Sequence, residues 1–76
     1  MTLKTMIEEE FHIGNLIREK IKEKERSISW LAKKLGCDSS NLHKTLSQQH
    51  IYSGLLLKIS KILEHDFFTS YSELLK

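Results

Sequence analysis

Proline is absent from the 76 residues, glycine occurs three times and cysteine once. Each scarcity excludes something. Without proline, and with so few glycines, long stretches keep their backbone donors and are free to be helical. The single cysteine, Cys37, excludes an intrachain disulfide framework, so the core has to come from packing alone, as suits a reducing compartment. No apolar run approaches the ~18–20 residues needed to cross a bilayer. The opening residues MTLKTMIEEE are acidic and lack the basic-then-apolar pattern of a secretory signal. The expectation is a cytoplasmic protein.

Seventy-six residues allow one domain with one modest core. A hydrophobic share of 39% beside 29% charged residues fits a globular chain rather than a disordered one. The net charge of +2 says little about partners, but its distribution is uneven. Residues 1–10 carry −2, residues 15–50 carry +4, and residues 51–76 balance. An anionic partner would be drawn to the middle of the chain, where Arg18, Lys20, Lys22, Lys24, Arg26, Lys33, Lys34 and Lys44 lie. A solvated helix face of mixed charge is the plainer reading of the same residues.

Residues 1–10 show no clean periodicity and read as a tail or lead-in; residues 11–76 read as a single domain. Ile13, Leu16, Ile17 and Ile21 fall at helical spacing, which predicts a first amphipathic helix ending near Glu25 or Arg26. Ser27 is placed to cap a second helix with Leu31, Ala32 and Leu35 as its apolar stripe, and Gly36 to stop it. Either Asp38 or Ser39 caps a third, whose buried side is Leu42 and Leu46 and which runs out around Gln48 to His50. Ser53 or Gly54 opens a fourth, carrying Leu55, Leu56, Ile59, Ile62 and Leu63. Asp66 caps a short fifth segment. No strand alternation bounded by hairpin turns is present. The fold class expected is all-α, of four to five short helices.

The stretch from Ser27 to Ser47 reads as two short helices joined by a tight turn, a helix-turn-helix. Ala32 supplies the small residue needed where two steeply crossed helices approach. Gly36 supplies the tolerance of positive φ at the turn. Cys37, as a small soft hydrophobe, is expected to fill the inside of the turn. With Leu42 and Leu46 committed to the core, the third helix exposes Ser39, Ser40, Asn41, His43 and Lys44. These side chains suit base edges and phosphates in a DNA major groove.

LAKKLG at residues 31–36, the following turn, Leu42, and LLLKISKIL at residues 55–63 together resemble the lambda-repressor-like, XRE-type helix-turn-helix family. HIGNLI near the start and HDFF near the end are similar to small stand-alone bacterial regulators of that family. The resemblance spans roughly residues 11–70. It implies that the third helix is the recognition helix, with positions 38–40, 43 and 44 facing DNA. The candidate phosphate contacts are Arg26, Lys33, Asp38 and Gln48. Two departures stand out. Ile28 occupies a position where the family often has a phosphate-holding Gln, and Thr45 occupies a usually apolar one.

Other residues admit plainer roles. Trp30 is expected to pack on the first helix rather than to stack on bases. Lys33 and Lys34 either hold phosphates or solubilise the second helix. His12, His43, His50 and His65 lack ligand spacing, so no metal or other cofactor is expected. Phe67, Phe68, Tyr71, Leu74 and Leu75 read first as core and helix-end packing, with a homodimer contact through Phe67, Phe68, Tyr71 and Leu74 as the second reading. No nucleophile sits with a base, so an enzyme is not expected. Two functions stand: a sequence-specific double-stranded DNA-binding regulator, a repressor acting by occupancy, or an antitoxin-like partner-binding module using the last helix or the tail.

Overall fold

The computed structural model describes residues 11–75; the lead-in expected over residues 1–10 lies outside them. It is all-helical, as the periodicity predicts. The elements are α1 (Ile13–Glu23), α2 (Ile28–Leu35), α3 (Ser39–Leu46), α4 (Ser53–Leu63) and α5 (Phe68–Glu73).

Three of the helices stop in the same way. Glu25, Gly36 and Glu64 take left-handed backbone with φ of 57°, 76° and 55°. In each case the next amide reaches five residues back: Arg26 to the Ile21 carbonyl, Cys37 to Ala32 and His65 to Ser60, each at 3.0 Å. This is the bond pattern that satisfies the orphan carbonyls of a helix end. At Gly36 the conformation carries no side-chain penalty, and the expected stop is where the sequence puts it. Glu25 and Glu64 adopt it at a cost of roughly 1–2 kcal/mol each. Helix α1 therefore ends at Glu23, two to three residues before the end that its periodicity predicts.

The starts are capped unevenly. Ser27 accepts from the Trp30 amide at 3.0 Å, a cap that contributes about 1 kcal/mol. Asp38 holds the cap position of α3 in extended backbone, yet its carboxylate bonds to none of that helix's amides. At α1 the cap is His12, whose Nδ1 accepts from the Asn15 amide at 3.2 Å while Nε2 donates to the Ser47 carbonyl at 3.1 Å. Asp66 caps α5: Oδ1 accepts from the amides of Phe68 and Thr69 at 3.0 and 3.3 Å, and Oδ2 from the Thr69 hydroxyl at 2.8 Å.

The core is drawn from the set that periodicity selects, with Leu16, Leu35, Leu55 and Ile62 of that set half-buried at its edge and Ile51, outside the set, buried in it. Ile13, Ile17 and Ile21 of α1 meet Leu31 and Ala32 of α2, Leu42 and Leu46 of α3, and Leu56, Ile59 and Leu63 of α4, all buried. Truncating one of these leucines to alanine costs about 2–5 kcal/mol by transfer and cavity formation. One close approach has no counterpart in the spacing. A Cβ at Gly14 would land on the Leu46 carbonyl oxygen, so α1 and α3 touch backbone to backbone there. The loop after α3 is tied to the same end of α1. Ile13 N–H donates to the Gln49 carbonyl at 3.0 Å, and Gln49 Nε2 donates to the Phe11 carbonyl at 2.8 Å.

Candidate nucleic-acid interface

Helices α2 and α3 pack on one another through the turn at Gly36, and α1 braces α3 from behind. This braced placement fixes which side of α3 faces outward. Leu42 and Leu46 are buried, while Ser40, Asn41, His43 and Lys44 are exposed. Ser39 is half-buried, and its hydroxyl lies 3.1 Å from that of Ser29 on α2. That pair locks the start of α3 to the flank of α2. Thr45 is half-buried and donates to the Asn41 carbonyl at 3.1 Å. Its hydroxyl is satisfied locally and α3 keeps its seat.

Behind the exposed face stands a cation that the sequence pattern does not assign to it. Arg18, on α1, reaches across to donate from Nη2 to the His43 carbonyl at 3.3 Å. Its side chain lines a hollow of about 350 Å³ with those of Lys22 and Arg26, floored by Ile21 and Ile28. Three cations thus gather at the start of α2. Ile28 forms part of their apolar floor. Periodicity places Arg18 only on the polar side of α1; its reach to α3 depends on how the two helices cross.

The remaining expected phosphate contacts are spread out. Arg26 lies with its guanidinium carbon 4.9 Å from the centroid of Trp30, held by a cation–π contact while lining the hollow. Lys33 on α2 and Gln48 after α3 are exposed. Asp38 is exposed with its carboxylate uncommitted to α3, so a phosphate at this helix start would be bound by backbone amides against that negative charge.

Two expectations are corrected. Cys37 is exposed rather than packed inside the turn: its amide is turned inward to the Ala32 carbonyl, which leaves the side chain outward. Phe67, named for a dimer contact, is only 1% exposed and belongs to the protomer's own core, its ring edge-on to His65 at 4.6 Å. Tyr71 is also engaged, 4.9 Å from the Phe11 ring and with its hydroxyl 3.1 Å from His50 Nδ1. Burial pushes the Tyr71 hydroxyl above the ordinary tyrosine value, against a smaller opposing pull from the Ile51 backbone. Of the proposed dimer residues, Phe68 is exposed and Leu74 half-buried, with Leu75 exposed beside them.

Trp30, expected against the first helix, is half-buried against the core. It lines a hollow with Lys24 and Arg26 just beyond α1 and with Ile62, Leu63 and Glu64 at the end of α4. Among the described residues no helix is long and apolar enough to cross a membrane, and no group of three His, Cys, Asp or Glu is placed to hold a metal ion. No family model, no curated protein and no solved structure matches the chain.

Proposed function

We propose that this chain is a sequence-specific double-stranded DNA-binding regulator of transcription, of the lambda-repressor-like helix-turn-helix kind, acting as a repressor by occupying its operator. Helix α3 is the reading element in the major groove. The observation that supports it is the pairing of two surfaces: the outward row Ser40, Asn41, His43 and Lys44, and the basic hollow of Arg18, Lys22 and Arg26 anchored to that row through the His43 carbonyl. A reading helix needs both kinds of contact, since phosphate contacts fix its register and base-edge contacts discriminate between sequences. Asn41 supplies a donor and an acceptor for adenine, and Lys44 a donor for guanine.

The test is selection of bound duplexes from a random library, at two salt concentrations, followed by affinities for the enriched site. Asn41→Ala or His43→Ala is expected to lose about 1–3 kcal/mol of discrimination at one base position while leaving non-specific binding in place. Absence of any enriched motif, with only weak salt-sensitive binding, would sink the proposal and turn attention to a protein partner.

A further inference from the structure

Helix α2 has two flanks that face different neighbours. Ser29 meets Ser39 on the α3 side, and Lys33, one turn on, shares that side. Trp30 and Lys34, about 100° further round, lie on the α4 side. There, two hollows adjoin at Ile62. One, of about 410 Å³, is lined by Trp30, Leu63 and Glu64 together with Lys24 and Arg26. The other, of about 360 Å³, is lined by Leu35 between Lys34, Lys58 and Lys61. Lys34 Nζ lies 5.8 Å from the Trp30 ring centroid, which joins the two into one surface.

This surface combines an apolar floor of Trp30, Leu35 and Ile62, none fully buried, with five cations around it and one carboxylate, Glu64. We propose that the α2–α4 groove docks an acidic amphipathic helix of another protein. Its apolar residues, spaced one turn apart, would cover Trp30 and Ile62, and its flanking carboxylates would pair with Lys34, Lys58 and Lys61. Charge complementarity selects the sign of the partner. The floor selects its class: a phosphate backbone has no use for buried apolar area, whereas helix-in-groove docking depends on it, with tryptophan among the residues that most often anchor such contacts. Arg26 lines this groove and the hollow beside α3 alike. Trp30, Leu35, Ile62, Lys34, Lys58 and Lys61 lie on the other flank of α2 from α3, so that part of the groove stays open to a partner while α3 holds DNA.

The experiment displays an unbiased library of helical peptides against the full chain and measures the enriched peptide by intrinsic fluorescence, because Trp30 is the only tryptophan. The expected result is enrichment of acidic peptides with apolar residues at i and i+3 or i+4, whose binding shifts the Trp30 emission. The Lys34→Glu, Lys58→Glu, Lys61→Glu triple variant should weaken that binding by about tenfold or more, while arginine at the same positions retains it. A variant with the same charge change on the α3 side (Lys22→Glu, Lys33→Glu, Lys44→Glu) should bind the peptide within about threefold of the parent, and circular dichroism confirms that each variant folds. The proposal is overturned by no enrichment, by enriched peptides without acidic bias, or by equal loss in both triple variants. Displacement of the peptide by duplex DNA that itself loses affinity on reversal of Lys34, Lys58 and Lys61 also overturns it, and makes the groove a nucleic-acid contact.

Discussion

Gly14 and Gly54 are both helical glycines, and their surroundings give them opposite consequences. At Gly14 a methyl group would meet the Leu46 backbone carbonyl, which cannot swing aside without moving α3. At Gly54 the nearest atoms, 2.9 and 3.4 Å from an added Cβ, belong to the ring of Tyr52, which is 71% exposed and free to rotate. Gly14→Ala should therefore destabilise the fold at or beyond the upper end of the about 1–3 kcal/mol usual for overpacking. Gly54→Ala should be neutral or should stabilise by up to about 1 kcal/mol, as alanine restricts the unfolded chain. Urea titrations of the two variants check this. Equal midpoints would mean that α1 and α3 do not touch where they are placed. On the proposed function, the displaced α3 of Gly14→Ala should also lose affinity for the selected duplex, although residue 14 lies on the buried side of α1.

At the scale of the element, α5 is the shortest of the described helices and its start depends on one side chain. The Asp66 carboxyl is held below the ordinary aspartate value, first by the hydrogen bond from the Thr69 hydroxyl and then by the amides of Phe68 and Thr69. A carboxylate with a lowered folded value stabilises above its unfolded pKa and loses that contribution as pH falls through the folded one. Thermal melts of the parent and of Asp66→Asn should differ most near neutrality and converge as the pH drops below the ordinary aspartate range. A gap that persists in acid would assign the cap's effect to something other than the charge. Because Phe67 is buried and Tyr71 packs on Phe11, loosening α5 should be felt in the global melt rather than as local fraying.

The elements themselves are legible in the sequence because apolar residues at helical spacing, one good serine cap and one left-handed glycine are local signals. Ser27, Gly36, Leu42 and Leu46 all sit as their spacing predicts. What escapes depends on neighbours distant in sequence. Nothing near Gly14 announces the Leu46 carbonyl, and nothing in α1 separates Arg18, which reaches α3, from Lys20, which pairs with Glu23 at 2.8 Å. Glu25 hides the end of α1, since a glutamate in left-handed backbone leaves no trace in the residue type. Cys37 misleads because its chemistry suggests burial, whereas the helix stop decides its direction.

For the whole molecule, a net charge of +2 is too small to steer an anion by itself; what counts is where the cations gather. Arg18, Lys22 and Arg26 converge around one hollow beside α3, although they come from α1 and the loop after it. If this hollow carries phosphate, replacing all three with alanine should weaken binding to every duplex alike and leave the preferred sequence unchanged. The slope of log affinity against log salt should flatten by about 0.9 for each phosphate no longer neutralised. Alanine at Lys58 and Lys61, on the α4 side, removes positive charge without touching this surface, so it should leave that slope in place. A flattened slope in both variants would mean that charge acts only through the total. Weakening confined to the enriched site would move these three residues from phosphate anchoring to base recognition. Weakening across all sequences from Arg18, Lys22 and Arg26 alone would make α1 as much a part of the interface as the helix-turn-helix itself.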